Sequence, residues 1–327
     1  MSFDIEKTFS QFDQLITTIE STEGETYLDS IIYALRAIQT EEELELPNPE
    51  TEETLRQLKE TFLQQQAEAE SIRKVIQLAL IKGMKGSTQQ QHVTTPDSVA
   101  LFIGYLLEKL LGEKEQFRLF DPAVGAANLL TAVINQIEPA TIAYGAEIDP
   151  TLIQIATESA NVQRIGLELF HQDSLTSLLL APVDAVVSDL PVGYYPNDQQ
   201  ASQFVLQAET GHSYAHHLFI EQSMTYTKET GYLIFLIPNF LFTSDQSEPL
   251  QKFLRDHAHI LALLQLPLSM FSSEQQAKSI LVLQKQGEGT KPPKQTLMAQ
   301  LPSFKEVRKT QNILEKIDAW FEKEISK

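Results

Sequence analysis

The sequence predicts an α/β fold with a mostly parallel sheet, preceded by a helical region. Three observations carry that prediction. From residue 116 onward, apolar strand-like runs alternate with helix-like runs. Before that point, apolar residues recur at intervals of three and four, as on one face of a helix. Four successive strand-like runs also end at or just before an acid: Asp121, Glu147, Asp173 and Asp189. In an open parallel sheet, such strand ends lie along one edge, where ligands bind.

The elements follow in order. Phe9, Phe12, Leu15, Ile16 and Ile19 mark a first helix, and Tyr27, Leu28, Ile31, Ile32, Leu35 and Ile38 a second. Leu44-Glu45-Leu46-Pro47-Asn48-Pro49 breaks the pattern with two prolines. Residues 52–82 read as one long helix carrying Leu55, Leu58, Phe62, Ile72, Val75, Ile76 and Leu80. Residues 82–91, with two glycines and three glutamines, read as a linker. The expected division is a helical domain over residues 1–85 and an α/β domain over 86–327. Thr95 suits an N-cap, Pro96 the first helical position and Asp97 the first turn. That helix runs to Leu111 and stops at Gly112. Seven strands are expected: 116–120, 141–147, one ending at Phe170, 183–188, 232–237, 260–266 and 279–284. Residues 287–294 read as a loop and 305–327 as a closing amphipathic helix with Trp320.

Composition narrows the classes. The 327 residues carry a formal charge of −19 and no cysteine, so disulfides and thiolate metal sites are excluded. No apolar run approaches the roughly 20 residues that span a bilayer. Residues 1–10 show no secretory pattern, and a cytoplasmic protein is expected. Between Gly86 and Gln200 there are 14 Asp and Glu against 4 Lys and Arg. Duplex binding rests on cations neutralising phosphates, so DNA binding by the chain alone is disfavoured. A small basic face remains in the last third, at Lys291, Lys294, Lys305, Arg308 and Lys309.

The turn Asp121-Pro122-Ala123-Val124-Gly125-Ala126-Ala127-Asn128-Leu129-Leu130 joins a strand to a helix through small residues, which lets backbone approach a ligand. A phosphate cradle asks for several glycines and often a lysine. Here an acid leads a single Gly, which suits a cationic ligand such as S-adenosylmethionine (SAM), with its sulfonium and ammonium. Glu147 stands about twenty residues on, where an acid commonly accepts from ribose hydroxyls. His212, His216, His217 and Glu221 have helical spacing, but surface histidines are far commoner than metal sites, and no metal is expected.

Residues 94–285 resemble the N6-adenine-type DNA methyltransferases, most closely the modification subunits of type I restriction systems and their small stand-alone YtxK-like branch. The resemblance implies a class I, Rossmann-like methyltransferase fold: seven strands, with the last one antiparallel and inserted beside the fifth. It implies that Thr95 and Pro96 close over the methionine end of SAM. It assigns Asp121, Ala123, Gly125, Asn128 and Leu129 to the cofactor loop, where Ala127 replaces the family's second Gly. Glu147 and Ile148 fall at the ribose, and Asp173 and Ser174 at the cofactor's adenine.

The catalytic motif departs from the family. Asp189-Leu190-Pro191-Val192 stands where the family has Asn/Asp-Pro-Pro-Tyr/Phe. The first side chain and the following carbonyl accept both N–H bonds of an exocyclic amine, which turns its lone pair toward the methyl. Asp189 and Leu190 retain those groups, and Pro191 shapes the loop. Val192 removes the aromatic that stacks on the target base, leaving Tyr194 or Tyr195 to supply a platform. The implied function is methylation of an exocyclic amine, adenine N6 foremost. A SAM-binding adaptor and a methyltransferase for a small molecule or a protein amide are the alternatives. Residues 286–327 are too short for a target-recognition domain, and 197–211 form the insertion beside the site. Nucleic-acid recognition therefore implies a partner protein, which the acidic N-terminal helices could dock. The sequence sets no oligomeric state.

Overall fold

Capping chemistry and apolar spacing define the first helices of the computed structural model, which describes residues 3–40, 48–63, 68–86, 94–112, 114–137 and 140–325. Helix α1 (Ile5–Glu23) opens where the Lys7 N–H donates to the Asp4 side chain and closes at Gly24, whose φ of 70° is left-handed. Helix α2 (Tyr27–Gln39) opens where the Asp29 N–H donates to Thr26. Then come α3 (Pro49–Leu63) and α4 (Ala69–Gly86).

The single long helix expected over 52–82 is therefore two, since Glu68 is not helical. A straight helix of that length would extend about 46 Å and carry half its apolar stripe past its partners. As two helices, Leu58 and Phe62 of α3 and Ile72, Val75, Ile76 and Leu80 of α4 enter one core with Phe12, Leu15, Ile16, Leu35 and Ile38. The expected linker is corrected in part, because residues 82–86 finish α4. Residues 87–91, the preceding break at 44–47, and His92 and Val93 lie outside the described residues.

The α/β part follows as α5 (Asp97–Leu111), β1 (Gln116–Asp121), α6 (Asn128–Gln136), β2 (Ala140–Glu147), α7 (Pro150–Gln163), β3 (Leu167–His171), β4 (Val183–Asp189) and the short α8 (Asp198–Ala201). It continues with α9 (Ala215–Tyr226), β5 (Thr227–Pro238), α10 (Ser247–His257), β6 (Ala258–Gln265), β7 (Lys278–Lys285), β8 (Leu297–Gln300) and α11 (Val307–Glu324). Helix α5 starts one residue later than the capping pattern suggests: the N–H groups of Val99 and Ala100 donate to the Pro96 carbonyl. The Thr95 carbonyl instead accepts from Asn128.

The sheet has eight strands in the order β3-β2-β1-β4-β5-β7-β6-β8. Strand β7 runs antiparallel to both β5 and β6, with Phe235 opposite Leu281. That is the insertion beside the fifth strand implied by the resemblance. The expected seven strands are corrected to eight among the described residues: β8 pairs parallel to β6 at the edge. Its four residues alternate between exposed and half-buried, too short a run to signal a strand by itself.

The chain divides into two compact units. One comprises Met1–Ala100, Val124–Gln136 and Gly145–His171; the other comprises Leu101–Ala123, Ile137–Tyr144 and Gln172–Lys327. In the first, the helical core includes Ile155 and Val162 of α7, and Arg36 of α2 pairs with Glu158 at 2.7 Å. In the second, β4, β5 and β7 each carry an unbroken buried run of four to six residues, as expected for strands covered on both faces.

Candidate active site

In the first unit, the loop after β1 is seated on the end of β2 by backbone hydrogen bonds. The Val124 N–H donates to the Ala146 carbonyl at 3.0 Å, and the Gly125 N–H donates to Glu147 Oε2 at 2.9 Å. Gly125 has φ of 54°, and a Cβ there would meet nothing within 4 Å. The left-handed backbone therefore asks for glycine, and the open side leaves room for a ligand. Glu147 Oε1 accepts from the N–H groups of Ile148 and Asp149, both at 2.9 Å. A carboxylate accepts about four hydrogen bonds, so Glu147 has capacity beyond these three. Beside it, Ile148 is 64% exposed, an apolar surface at a strand end. Ala127 is buried with φ of 62°. Its methyl thus adds left-handed strain of roughly 1–2 kcal/mol where the family has glycine.

Asn128 is consumed by scaffolding. Its Oδ1 accepts from Arg73 Nη1 at 2.7 Å, and its Nδ2 donates to the Thr95 carbonyl at 3.1 Å. Arg73 is only 2% exposed. It also donates to both Glu70 oxygens at 2.7 Å and to Asp97 at 3.0 Å. A buried cation is tolerated only when its donors are matched in this way. Burial alone would raise the Glu70 carboxyl, but the Arg73 hydrogen bonds and charge override it and hold the group below its usual range. Leu129 is buried and Pro96 is exposed.

In the second unit, buried Asp121 accepts through Oδ1 from the Ala123 N–H at 3.0 Å and the Ser188 hydroxyl at 2.7 Å. The Ser174 hydroxyl donates to the Pro122 carbonyl at 2.5 Å. Asp173 accepts from the Leu175 N–H at 2.9 Å and the Tyr195 hydroxyl at 2.5 Å. Burial, and then Asp173, push the Tyr195 hydroxyl well above its usual range. Tyr195 is buried and committed to Asp173, so it offers no stacking face.

Tyr194 is 58% exposed and does offer one. Its ring stacks on Tyr214 at 4.9 Å and 10°, and Tyr214 in turn stacks on His216 at 5.0 Å. Backbone pairing supports the stack: the Tyr195 N–H donates to the Ser213 carbonyl and the Ala215 N–H to the Gly193 carbonyl, both at 2.8 Å. The segment 196–212, which contains the expected insertion at 197–211, is thereby closed at its base. Asp189 ends β4 and accepts a hydrogen bond from Lys278 Nζ. Leu190 is buried and its N–H donates to the Leu236 carbonyl at 3.2 Å. Pro191 is half-buried, and Val192 is 44% exposed.

The histidines separate. His212 precedes α9 and meets Asp198, while Glu221 accepts from the N–H groups of Val205 and Leu206. Burial lowers His216 to about 3 and His217 to about 4. Neither His216 ring nitrogen has a hydrogen-bond partner. No group of three or more His, Asp or Glu that could hold a metal occurs among the described residues.

Four residues that shape the site escaped the sequence reading. Arg73 sits in a helix otherwise read for its apolar face. Ser188 and Tyr214 flank recognised segments without a motif of their own. Lys278 merely precedes a strand. Nothing in the local pattern announces any of them, because each acts through a contact distant in sequence.

The profile of the N-6 DNA methylase family matches residues 83–325, and that of the YtxK N-terminal helical domain matches residues 6–84. The chain is 48% identical over 302 residues to the uncharacterised protein YtxK of Bacillus subtilis strain 168, covering 91% of this chain and 92% of that one. It is similar to a Listeria monocytogenes crystal structure provisionally assigned as a class I SAM-dependent methyltransferase. There the identity is 40%, the TM-score 0.88 and the coverage 97% of this chain and 98% of that one. The methyltransferase subunit of a type I restriction-modification system from Streptococcus thermophilus shares the fold at 14% identity and a TM-score of 0.63, over 98% of this chain and 76% of that one. No helix among the described residues is long and apolar enough to cross a membrane. The open side of Gly125, the Glu147 carboxylate and the exposed Ile148 fit a nucleoside-bearing ligand. The chain thus belongs to the N-6 DNA methylase family and has the fold of SAM-dependent methyltransferases.

Proposed function

We propose that the chain is a SAM-dependent N-methyltransferase acting on an exocyclic amino group of nucleic acid, adenine N6 foremost. In this reading Gly125, Ala123, Leu129, Asp121, Glu147, Ile148, Asp173 and Ser174 hold the cofactor, Thr95 and Pro96 adjoin its methionine end, and Asn128 positions the loop. The cofactor supplies a methyl group on a sulfonium sulfur. The Asp189 carboxylate and the Leu190 carbonyl accept the two N–H bonds of the acceptor amine, so that its lone pair is turned to the methyl and the charge developing on nitrogen is stabilised. Pro191 shapes that loop. Tyr194, backed by Tyr214, offers the face on which the target base stacks in place of the family aromatic, worth about 1–3 kcal/mol.

The observation that carries the reading is Glu147 closing the turn through the Gly125 N–H, with Asp189 at the end of β4. Support also comes from the two family profiles meeting near residue 85, which we take as the boundary between the helical domain and the methyltransferase domain. The charge of −19 favours a partner protein for nucleic-acid recognition, docked on the acidic helices. Such a reaction belongs in the cytoplasm. Calorimetry with SAM tests the cofactor site. Mass spectrometry of modified bases in total DNA and RNA, with and without the protein, tests the reaction; identical base profiles would remove it.

Two observations favour a second reading, a SAM-binding adaptor without turnover. Val192 occupies the stacking place, and Lys278 holds the motif acid. A deletion strain rescued fully by Asp189→Ala but not by Glu147→Ala would select the adaptor.

A further inference from the structure

The loop after β3 carries Asp173 and Ser174, and within the second unit it is braced from two sides. On one side, the Ser174 hydroxyl donates to the Pro122 carbonyl at 2.5 Å, in the turn after β1. On the other, three side chains that follow β4 reach it. The Tyr195 hydroxyl donates to Asp173 Oδ2 at 2.5 Å. Gln200 of α8 donates to the Leu175 carbonyl at 2.7 Å. Gln222 of α9 donates to the carbonyls of Ser174 at 2.6 Å and Thr176 at 2.9 Å. The two glutamines grip main-chain carbonyls and so fix where the loop lies. Tyr195 grips a side chain, and so fixes how the Asp173 carboxylate is turned.

That carboxylate is half-buried. Its Oδ1 takes the Leu175 N–H at 2.9 Å and its Oδ2 the Tyr195 hydroxyl. A carboxylate accepts about four hydrogen bonds, so a ligand amine finds lone pairs there without displacing either donor. What Tyr195 supplies is direction. With both oxygens held, the plane of the carboxylate is set before a ligand arrives, and a group ordered in advance costs the ligand nothing to order. Tyr195 is also tied on its main-chain side. Its N–H donates to the Ser213 carbonyl, and its neighbour Tyr194 carries the ring stacked on Tyr214. One residue therefore joins the carboxylate of the β3 loop to the base of the 196–212 segment. A ligand that favours the oriented carboxylate favours the docked segment to the same degree, because coupling between two sites is reciprocal.

Resting on the proposed placement of the cofactor's adenine at Asp173 and Ser174, we propose that Tyr195 is a positioning residue. It aims the Asp173 carboxylate at the exocyclic amine of that adenine, and in return a bound cofactor steadies the segment that carries the Tyr194 platform.

The test uses S-adenosylhomocysteine and its analogue with purine in place of adenine, which lacks only the exocyclic amine. By calorimetry, wild type should bind the adenine form about ten-fold or more tighter, as for a hydrogen bond to a charged group. Tyr195→Phe keeps the buried ring and removes only the hydroxyl. It should lose most of that preference, by weakening the adenine form and leaving the purine form nearly unchanged. Hydrogen exchange read by mass spectrometry adds an arm that needs no variant. In wild type, saturating adenine form should slow exchange across residues 193–215 more than saturating purine form does. A merely structural tyrosine would weaken both ligands alike and leave their ratio unchanged. An undiminished preference in Tyr195→Phe, or equal slowing by the two ligands in wild type, would overturn the proposal and leave the adenine at Asp173. Equal affinities in wild type would remove the adenine from Asp173, and the proposal with it. Failure of S-adenosylhomocysteine to bind at all would strike the whole cofactor half of the proposed function together with this proposal.

Discussion

The Gly125–Glu147 region and the Asp189–Lys278 region are built on opposite plans. In the first, the contacts that close the turn run through backbone, and a single buried cation, Arg73, braces them from the side. Glu147 receives three main-chain N–H groups, and Asn128 is locked between Arg73 and the Thr95 carbonyl. In the second, side chain meets side chain: Asp189 with Lys278, and Tyr194 with Tyr214, which stacks in turn on His216. Backbone contacts tolerate sequence change and hold one shape. Side-chain pairs are rearranged by a competing ligand, and one substitution rewrites them. Under the proposed function, that difference suits a cofactor held mainly on the first plan and an acceptor selected on the second.

The comparison breaks most visibly at Asp189. If the acceptor half performs methyl transfer, Asp189→Ala abolishes turnover in a radiolabelled methyl assay and leaves SAM affinity within a few-fold. A parallel fall in SAM affinity would erase the separation between the two plans. Next in size is Arg73. Arg73→Ala leaves Glu70 and Asp97 without their buried cation, and loss of one partner from such a group costs about 3–5 kcal/mol, readable by urea unfolding.

Acid sharpens the contrast from the other side. His216 and His217 have folded pKa values of about 3 and about 4 against roughly 6.5 when unfolded. The unfolded chain therefore binds more protons below pH 6.5. Their contribution to stability is complete above that pH and falls as pH drops through the window down to their folded values. At pH 5 each loses about 2 kcal/mol. His216→Phe keeps a ring in the stack and should remove its share of that loss in denaturation curves at pH 7 and pH 5. Glu70 adds the same sign only below the usual carboxylate range.

Much of this contrast was legible in the sequence, and the legible part is the backbone part. The Asp121-to-Leu130 turn, the acids at four strand ends and the antiparallel strand beside β5 follow from period, spacing and family pattern. What stayed hidden needs a partner far along the chain. The 55 positions between Arg73 and Asn128 and the 89 between Asp189 and Lys278 leave no local trace. The division between α3 and α4 was hidden for a related reason: Gln and Glu are good helix formers, and only the demand to place both apolar stripes in one core ends the helix.

Two smaller effects complete the series. Glu147→Ala should weaken SAM binding by about 1.5–3 kcal/mol, as for a hydrogen bond to a charged group. Equal affinity would remove Glu147 from the cofactor site. Gly125→Ala should cost about 1–2 kcal/mol of stability through its left-handed φ. Ala127→Gly relieves the same strain but gives up a buried methyl worth about 0.8 kcal/mol, so its melting temperature should shift by less than that of Gly125→Ala.

The paired base of the 196–212 excursion bears on how its length can change. Because Gly193 and Tyr195 are pinned to Ala215 and Ser213 through main-chain groups, the closure of the segment does not depend on which side chains lie at those four positions. Closing a longer segment costs only about 0.6 kcal/mol for each doubling of its length. A change of length between those pins is therefore cheap, and it leaves the Tyr194–Tyr214 stack in place.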